Sequence, residues 1–427
     1  MNLLIITPYI PYPLHSGGNR AQFDMINGLK GYVSISLLVR ASNPTDRQNI
    51  EILKTKWPEV TFFVYDPVQK IAATKHSRYY KLLYALRASL DRKIARLLRQ
   101  NNVSDPIRQH ATLSTRHCKH WEESFIDYIF HTAQKDFDII QVEFFDMIDL
   151  IHALPENVIK IFMHHEIRFV RQEIELSLLQ QITPADRYFY RCFRDYEIAC
   201  LRNYDSILTF SETDKQKLKQ YIPKVPVFSS PSTGIIPQFV SIDFEPSHEI
   251  VFLGGVNHFP NKDGLDWFLS QCWSLVREKN RDVKLYITGE WKKSIVEKYL
   301  SMYPSIYFSG FVEDLSCALR NRIMIVPIRI GSGMRIKILD GVVNGCPLVT
   351  TTVGVEGIDL IHKEDCLIAD DPESFADAVV YLLDNPETCK KMVANAQKKI
   401  EQYSSDRQVK ERLNIYHQIL SNAINRE

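Results

Sequence analysis

The sequence predicts an α/β protein made of two parallel-sheet halves in tandem. Short apolar runs rich in β-branched residues alternate with segments of helical period along the chain. A stretch at 229–246 that carries Pro231, Gly234, Pro237 and Pro246 among Ser and Thr interrupts that alternation near the middle, as a linker would. A length of 427 residues fits two or three domains.

In order, the first strand is expected at 3–6, closed by Pro8, Pro11 and Pro13. A loop through Ser16, Gly17 and Gly18 then opens a helix with Phe23, Ile26, Asn27 and Leu29 near helical spacing. Further strands are expected at 33–39, 60–65, 138–142, 158–163, 206–210 and 225–228. After the break the rhythm resumes at 250–253, 283–287, 306–308, 323–326 and 347–350. The expected domains are 1–235 and 246–403, followed by a C-terminal helix, 404–427, that packs back towards the N-terminal domain. Its apolar stripe is Val409, Leu413, Tyr416, Leu420 and Ala423.

Composition excludes several classes. Lys and Arg number 52 against 51 Asp and Glu, a net charge of +1, which argues against a nucleic-acid partner. The eight cysteines are scattered, with no C-x-x-C pair and no zinc spacing, and read as reduced thiols. The N-terminus lacks a basic start, its apolar run is too short for a signal peptide, and no stretch reaches the roughly 20 apolar residues of a spanning helix. The expectation is a soluble cytoplasmic protein. One segment departs from neutrality: between Lys70 and His120 the net charge is +10, beside an apolar stripe of Tyr79, Leu82, Leu83, Leu86 and Leu90. A solvated helix face explains it. So does a basic amphipathic surface that contacts an anionic membrane at its inner face, or an anionic acceptor.

Parallel α/β domains bind ligands beyond the carboxyl ends of their strands, so the loops there carry the candidate chemistry. Gly17 and Gly18 follow the first strand; they suit close backbone approach to an anion at a helix start, and equally a turn that needs positive φ. Beyond Pro327 comes the loop Gly331-Ser332-Gly333, then a helix with Arg335 and Lys337 in its first turn. Cations at that end oppose the helix dipole, so their placement points to a bound anion, and with backbone N–H groups they make a diphosphate cradle. A third loop, Gly354 to Gly357, holds Glu356, which suits hydroxyl recognition or a plain turn. Asp136-Phe137-Asp138 has the form of a metal motif but sits just before a strand, where Asp is a common turn residue; no metal site is expected. His164-His165-Glu166 is not H-E-x-x-H, and no G-x-S-x-G occurs.

The run from Gly331 to Ile358 resembles the donor-site signature of retaining GT-B glycosyltransferases of the large family four: Gly-x-Gly-x-Arg-x-Lys-x-Leu-Glu, then Gly-x-Pro-Val-Val, then Gly-x-Glu-Gly. The strand and loop from Val251 to Gly264, the pair Asp370-Asp371, the opening loop around Gly17 and Arg20, and His165 with Glu166 are similar to further family elements, so the likeness runs over nearly the whole chain. It implies two Rossmann-like domains facing across a cleft, with a nucleotide-diphosphate sugar of UDP or GDP type in the C-terminal domain. A glycan or lipid-linked saccharide acceptor would occupy the N-terminal one, as in polysaccharide biosynthesis. Transfer would proceed with retention and without a metal or other cofactor. His165, Arg335 and Lys337 would be catalytic. Gly17, Gly18, Asn257, Gly331, Ser332, Gly333, Asp340 and Glu356 would bind the donor. Asp340 stands where the family has a glutamate as ribose ligand, and Ser332 replaces the other glutamate of that pair. Those departures leave a non-catalytic sugar-nucleotide or glycan-binding paralogue, or a nucleotide-sugar epimerase of the same fold, as alternatives.

Overall fold

The computed structural model describes residues 1–14, 16–67, 107, 121–232, 239, 247–312 and 314–424. The basic segment 70–120, apart from Ile107, and most of the Pro-bearing stretch at 229–246 lie outside the described residues.

The described chain forms two all-parallel sheets flanked by helices. The first contains β1 (Asn2–Ile6), β2 (Ser34–Arg40), β3 (Thr61–Tyr65), β4 (Ile139–Glu143), β5 (Ile159–His164), β6 (Ser206–Thr209) and β7 (Val227–Ser229), in the order β3-β2-β1-β4-β5-β6-β7. The second contains β8 (Glu249–Leu253), β9 (Lys284–Thr288), β10 (Ile306–Gly310), β11 (Ile323–Val326), β12 (Leu348–Thr350) and β13 (Leu367–Ile368), in the order β10-β9-β8-β11-β12-β13. Each sheet thus reverses direction once, between β1 and β4 and between β8 and β11. Such switch points open a crevice at the carboxyl edge. Every strand expected from the sequence is present; β13, only two residues long, offered no periodicity to read.

The strands are apolar throughout because helices cover both faces. Leu3 to Ile6 in β1 are fully buried or nearly so, as are Ile250 to Phe252 in β8. Each sheet carries one large apolar cluster on either face. Among the described residues no helix is long and apolar enough to cross a membrane.

The final helix, Ser405–Ile424, packs along the Gly17–Leu29 helix of the first half. Gly28 permits the approach: a Cβ there would stand 2.3 Å from Val409 Cγ2. Val409, Tyr416 and Ile419 are buried against the first sheet's helices, each contributing about 1.5–3 kcal/mol relative to exposure. The buried face is rotated from the expected stripe: Arg412, 1% exposed, sits at its centre, while Leu413 and Leu420 are only half-buried. The arginine is accommodated because Ser230 and Tyr416 accept its hydrogen bonds.

Candidate functional site

The loops leaving the two switch points meet at the junction of the two halves. On the N-terminal side, alternation along β5 and its extension sends the two histidines to different partners. His164 bonds through Nε2 to Glu197 Oε1 at 2.7 Å, both side chains fully buried. Glu197 also accepts from the backbone N–H groups of Arg168 and Phe169, so this pair secures the start of the Arg168–Ser177 helix. His165 donates from Nε2 to Glu143 Oε2 at 3.0 Å. Its ring stacks on Phe144, centroids 3.7 Å apart, and meets Phe210 edge-on. Phe144 holds a left-handed backbone, φ 65°, a conformation that costs a non-glycine residue on the order of 1 kcal/mol and that recurs at functional loops. Gly18 lies against the same ring; a Cβ there would come 3.2 Å from Phe144 Cε1.

Glu166 faces a cluster of cations. Arg171 lies 3.1 Å and Arg168 3.5 Å from its Oε2. Burial opposes its charge, but Arg171, Arg168, His258 and Arg335 outweigh that and hold the carboxyl at about 2.

On the C-terminal side, the loop after β11 is pinned by a bidentate pair: Arg329 donates from Nε and Nη2 to Asp263 at 3.1 and 2.7 Å. Gly331 and Gly333 take φ +132° and +82°. A Cβ on Gly333 would stand 2.8 Å from the carbonyl oxygen of His165, so only glycine lets the two halves come this close. The Ile336–Val343 helix begins here with Arg335 as its N-cap. Arg335 donates from Nη1 to the Gly333 carbonyl, while its Nη2 is buried without a hydrogen-bond partner. Burial lowers the affinity of Arg335 for its proton. Lys337 donates to Asn261 Oδ1 at 2.6 Å and lies 5.3 Å from the centre of the Phe252 ring. Burial, then the Arg335 charge, bring its ammonium down to about 7.

Several contacts close the junction. The Ile167 N–H donates to Ser332 Oγ at 2.7 Å. Arg20 donates to Asp340 at 2.7 Å, and Lys217 donates to Glu356 at 2.5 Å. Gly17 lies close to Ile336, 3.9 Å from the position of its Cβ to Cδ1. Gly17, Gly18, His165, Gly331, Ser332, Gly333, Arg335, Lys337, Asp340 and Glu356 therefore line one junction. Asn257 stands exposed in the loop after β8. Asp138 lies at the far end of the first sheet, where its carboxylate accepts from the Asn2 N–H at 2.6 Å. Among the described residues no group of three or more His, Cys, Asp or Glu is arranged to hold a metal ion.

Sequence reasoning missed Glu143, Gln22, Gln141, Phe144, Asn261 and Lys217. One signal was available: Gln141 and Glu143 are polar residues in a strand that is buried at every position.

Comparison with known proteins bears on this arrangement. Residues 247–385 match the family model described as "Glycosyl transferases group 1". A Klebsiella pneumoniae protein described as "Uncharacterized 44.6 kDa protein in cps region" is 32% identical over 155 residues, 34% of this chain and 40% of that relative. The matched part is thus less than half of that relative's length. Sucrose-phosphate synthase from Thermosynechococcus elongatus superposes with a TM-score of 0.67 at 12% identity, covering 99% of this chain and 100% of that one. A mutant of S. aureus TarM, solved with Fondaparinux, alpha-GlcNAc-glycerol and UDP, gives 0.63 at 11% identity over 97% and 99%. Anabaena HepE, solved with UDP and glucose, gives 0.55 at 11% identity over 97% and 99%. The fold is the two-sheet GT-B fold of these glycosyltransferase structures.

Proposed function

We propose that the protein is a retaining glycosyltransferase that moves a sugar from a nucleotide-diphosphate donor, of UDP or GDP type, to a glycan or lipid-linked saccharide. The donor occupies the C-terminal half and the acceptor the N-terminal half. The observation that carries the reading is the start of the Ile336–Val343 helix, where Arg335 keeps a buried, unpartnered Nη2 and Lys337 a proton affinity brought down to about 7. Two half-buried cations side by side are costly in isolation, and a diphosphate between them would remove that cost. The family match over 247–385 and the GT-B fold support the same reading.

In the reaction, the C1–oxygen bond to the diphosphate breaks and the diphosphate leaves with the bonding pair. The acceptor hydroxyl oxygen bonds to C1 on the face the donor left, and its proton goes to the departing phosphate. Positive charge develops at C1 and negative charge on the leaving group. Arg335 and Lys337 are placed to stabilise the second, the task a divalent ion performs elsewhere, and no metal or cofactor is invoked. The Gly17 and Gly18 amides approach the donor phosphates. His165 meets the transferring sugar, Glu356 accepts from its hydroxyls, and Asp340 takes a ribose hydroxyl. Asn257, Gly331, Ser332 and Gly333 complete the donor loops. The basic segment 70–120 would bring a lipid-linked acceptor to the site from the cytoplasmic membrane face.

One pair of observations favours a second reading, a non-catalytic binder of sugar nucleotides. Asp340 is engaged by Arg20, and Ser332 by the main chain of Ile167. The test is a panel of nucleotide sugars, with binding followed by calorimetry and products by NMR. Transfer or donor hydrolysis with retained configuration is expected from the purified protein, and binding without turnover would select the second reading. The Arg335→Ala/Lys337→Ala variant is expected to lose donor binding; unchanged affinity and turnover in it would overturn the phosphate cradle.

A further inference from the structure

The final helix touches more than the first helix of the chain. Glu143, at the end of β4, is 4% exposed and receives three donors. Gln22 Nε2 and Gln141 Nε2 each donate at 2.7 Å, and His165 Nε2 donates at 3.0 Å. Gln141 is directional: with its amino group on Glu143, its carbonyl oxygen points the other way, where Tyr416 OH donates to it at 2.7 Å. The Tyr416 oxygen in turn lies 3.4 Å from Arg412 Nη1. Arg412 also donates to the Ser230 hydroxyl and carbonyl. No carboxylate stands at ion-pair distance from it among the described residues. A buried cation and a buried carboxylate are thus joined by two neutral groups, each locked in one orientation.

We infer that the Ser405–Ile424 helix orients the imidazole of His165 through the buried chain Arg412–Tyr416–Gln141–Glu143–His165, which makes Tyr416 a positioning residue for sugar transfer. The inference rests on the proposed placing of His165 at the transferring sugar. A carboxylate only accepts, so Glu143 fixes the proton of the neutral ring on Nε2. The lone pair of Nδ1 is then the free acceptor, and Nδ1 is buried with no partner in the structure. Stacking on Phe144 holds the ring plane, and the Glu143 bond sets its rotation within that plane. Chains of this kind polarise along their length, so a break at one end is felt at the other.

A buried polar network that merely stabilises the fold would show the same bonds, so the test reads the imidazole itself. Ring 15N NMR, with the signals assigned by loss in His165→Gln, is expected to show mainly the Nε2–H tautomer in the wild-type chain. Tyr416→Phe keeps the ring volume and removes only the hydroxyl. The Gln141 amide is then free to turn its carbonyl oxygen towards Glu143, which repels the carboxylate away from the imidazole, and His165 is expected to shift towards a mixture of tautomers. It should also lower kcat about tenfold with the donor KM unchanged, the size of one lost hydrogen bond. Arg412→Lys, which keeps the charge, serves as the second variant if Tyr416→Phe does not fold, and is expected to act in the same direction. Val409→Ala loosens the same helix without touching the chain of bonds and is expected to leave the tautomer unchanged. An unchanged tautomer in Tyr416→Phe or its substitute, or an equal shift in Val409→Ala, would overturn the inference. If no donor supports transfer by the wild-type protein, the reading of its function fails, while the NMR comparison still decides the role of Tyr416.

Discussion

Arg20 and Asp340 meet across the domain junction, Nη1 to Oδ1 at 2.7 Å, one from each sheet's half of the chain. Burial raises the proton affinity of the Asp340 carboxyl, and Arg20 reduces that rise without cancelling it. The pair is partly buried, so removing Arg20 takes away the cation that faces the Asp340 carboxylate, whereas removing Asp340 leaves Arg20 with Asp24 at 3.7 Å. A double-mutant cycle of Arg20→Ala and Asp340→Asn on denaturant stability is expected to give a coupling energy of about 1–3 kcal/mol. Simple additivity would mean that the contact does not hold the halves together.

Lys337 makes donor binding sensitive to pH. Its ammonium is brought down to about 7 by burial and by Arg335. A diphosphate favours the protonated form, so binding above that pH must take up a proton. Affinity for a nucleotide sugar, whose diphosphate does not itself titrate here, is expected to fall by up to about tenfold per pH unit above 7. Lys337→Arg should flatten the profile, and calorimetry at pH 6 and pH 8 in buffers of different ionisation enthalpy checks both the slope and the proton uptake.

Glu166 contributes to acid stability. Its folded-state carboxyl sits at about 2 against an ordinary 4.5, held down by Arg171, Arg168, His258 and Arg335 against the opposing effect of burial. A depressed carboxyl stabilises the fold above its unfolded value, and that stabilisation drains away as pH falls from 4.5 towards 2. The amount at stake is up to about 3 kcal/mol. Urea midpoints between pH 5 and pH 3 should fall less steeply in Glu166→Gln than in the wild type, although the variant starts from lower stability because Arg171 keeps only Glu175 of its two carboxylate partners.

Gly28 sets how close the last helix lies. Gly28→Ala adds a methyl group 2.3 Å from Val409 Cγ2, and overpacking of that kind costs about 1–3 kcal/mol despite alanine's better helix propensity. Val409→Ala in the same chain should recover most of the loss. Thermal melts of the two single variants and the double variant measure it, and a stabilising Gly28→Ala would show that the helices are not in this contact.

The architecture was legible because strands buried on both faces leave a strong mark: β1 and β8 are short runs of large apolar residues at every inward position. The Gly-Ser-Gly loop with Arg335 and Lys337 was legible as a local string, since the cations oppose the dipole of the helix they open. What stayed hidden is relational. Nothing in the string singled out Arg412, because the Ser230 hydroxyl that accommodates it is 182 residues away. Gln141 lies inside the expected strand at 138–142 and Glu143 just past it, and spacing could not reveal their partners, since the donors come from a neighbouring helix, a neighbouring strand's end and the far terminus. Spacing alone could not tell His164 from His165 either; the burial of Glu197 beside one and Glu143 beside the other separates them.

The seat of the last helix also has a timing. Synthesis runs from the N-terminus, and 275 residues separate Gln141 from Tyr416. At about 5–20 residues per second the Gln141 carbonyl waits roughly 15–55 s for its donor. Throughout that interval the groove beside Gly28 lies open and apolar on the nascent chain. The N-terminal half therefore leaves the ribosome as an unfinished domain, one that a chaperone can hold and that ribosome stalling anywhere in the second half would strand.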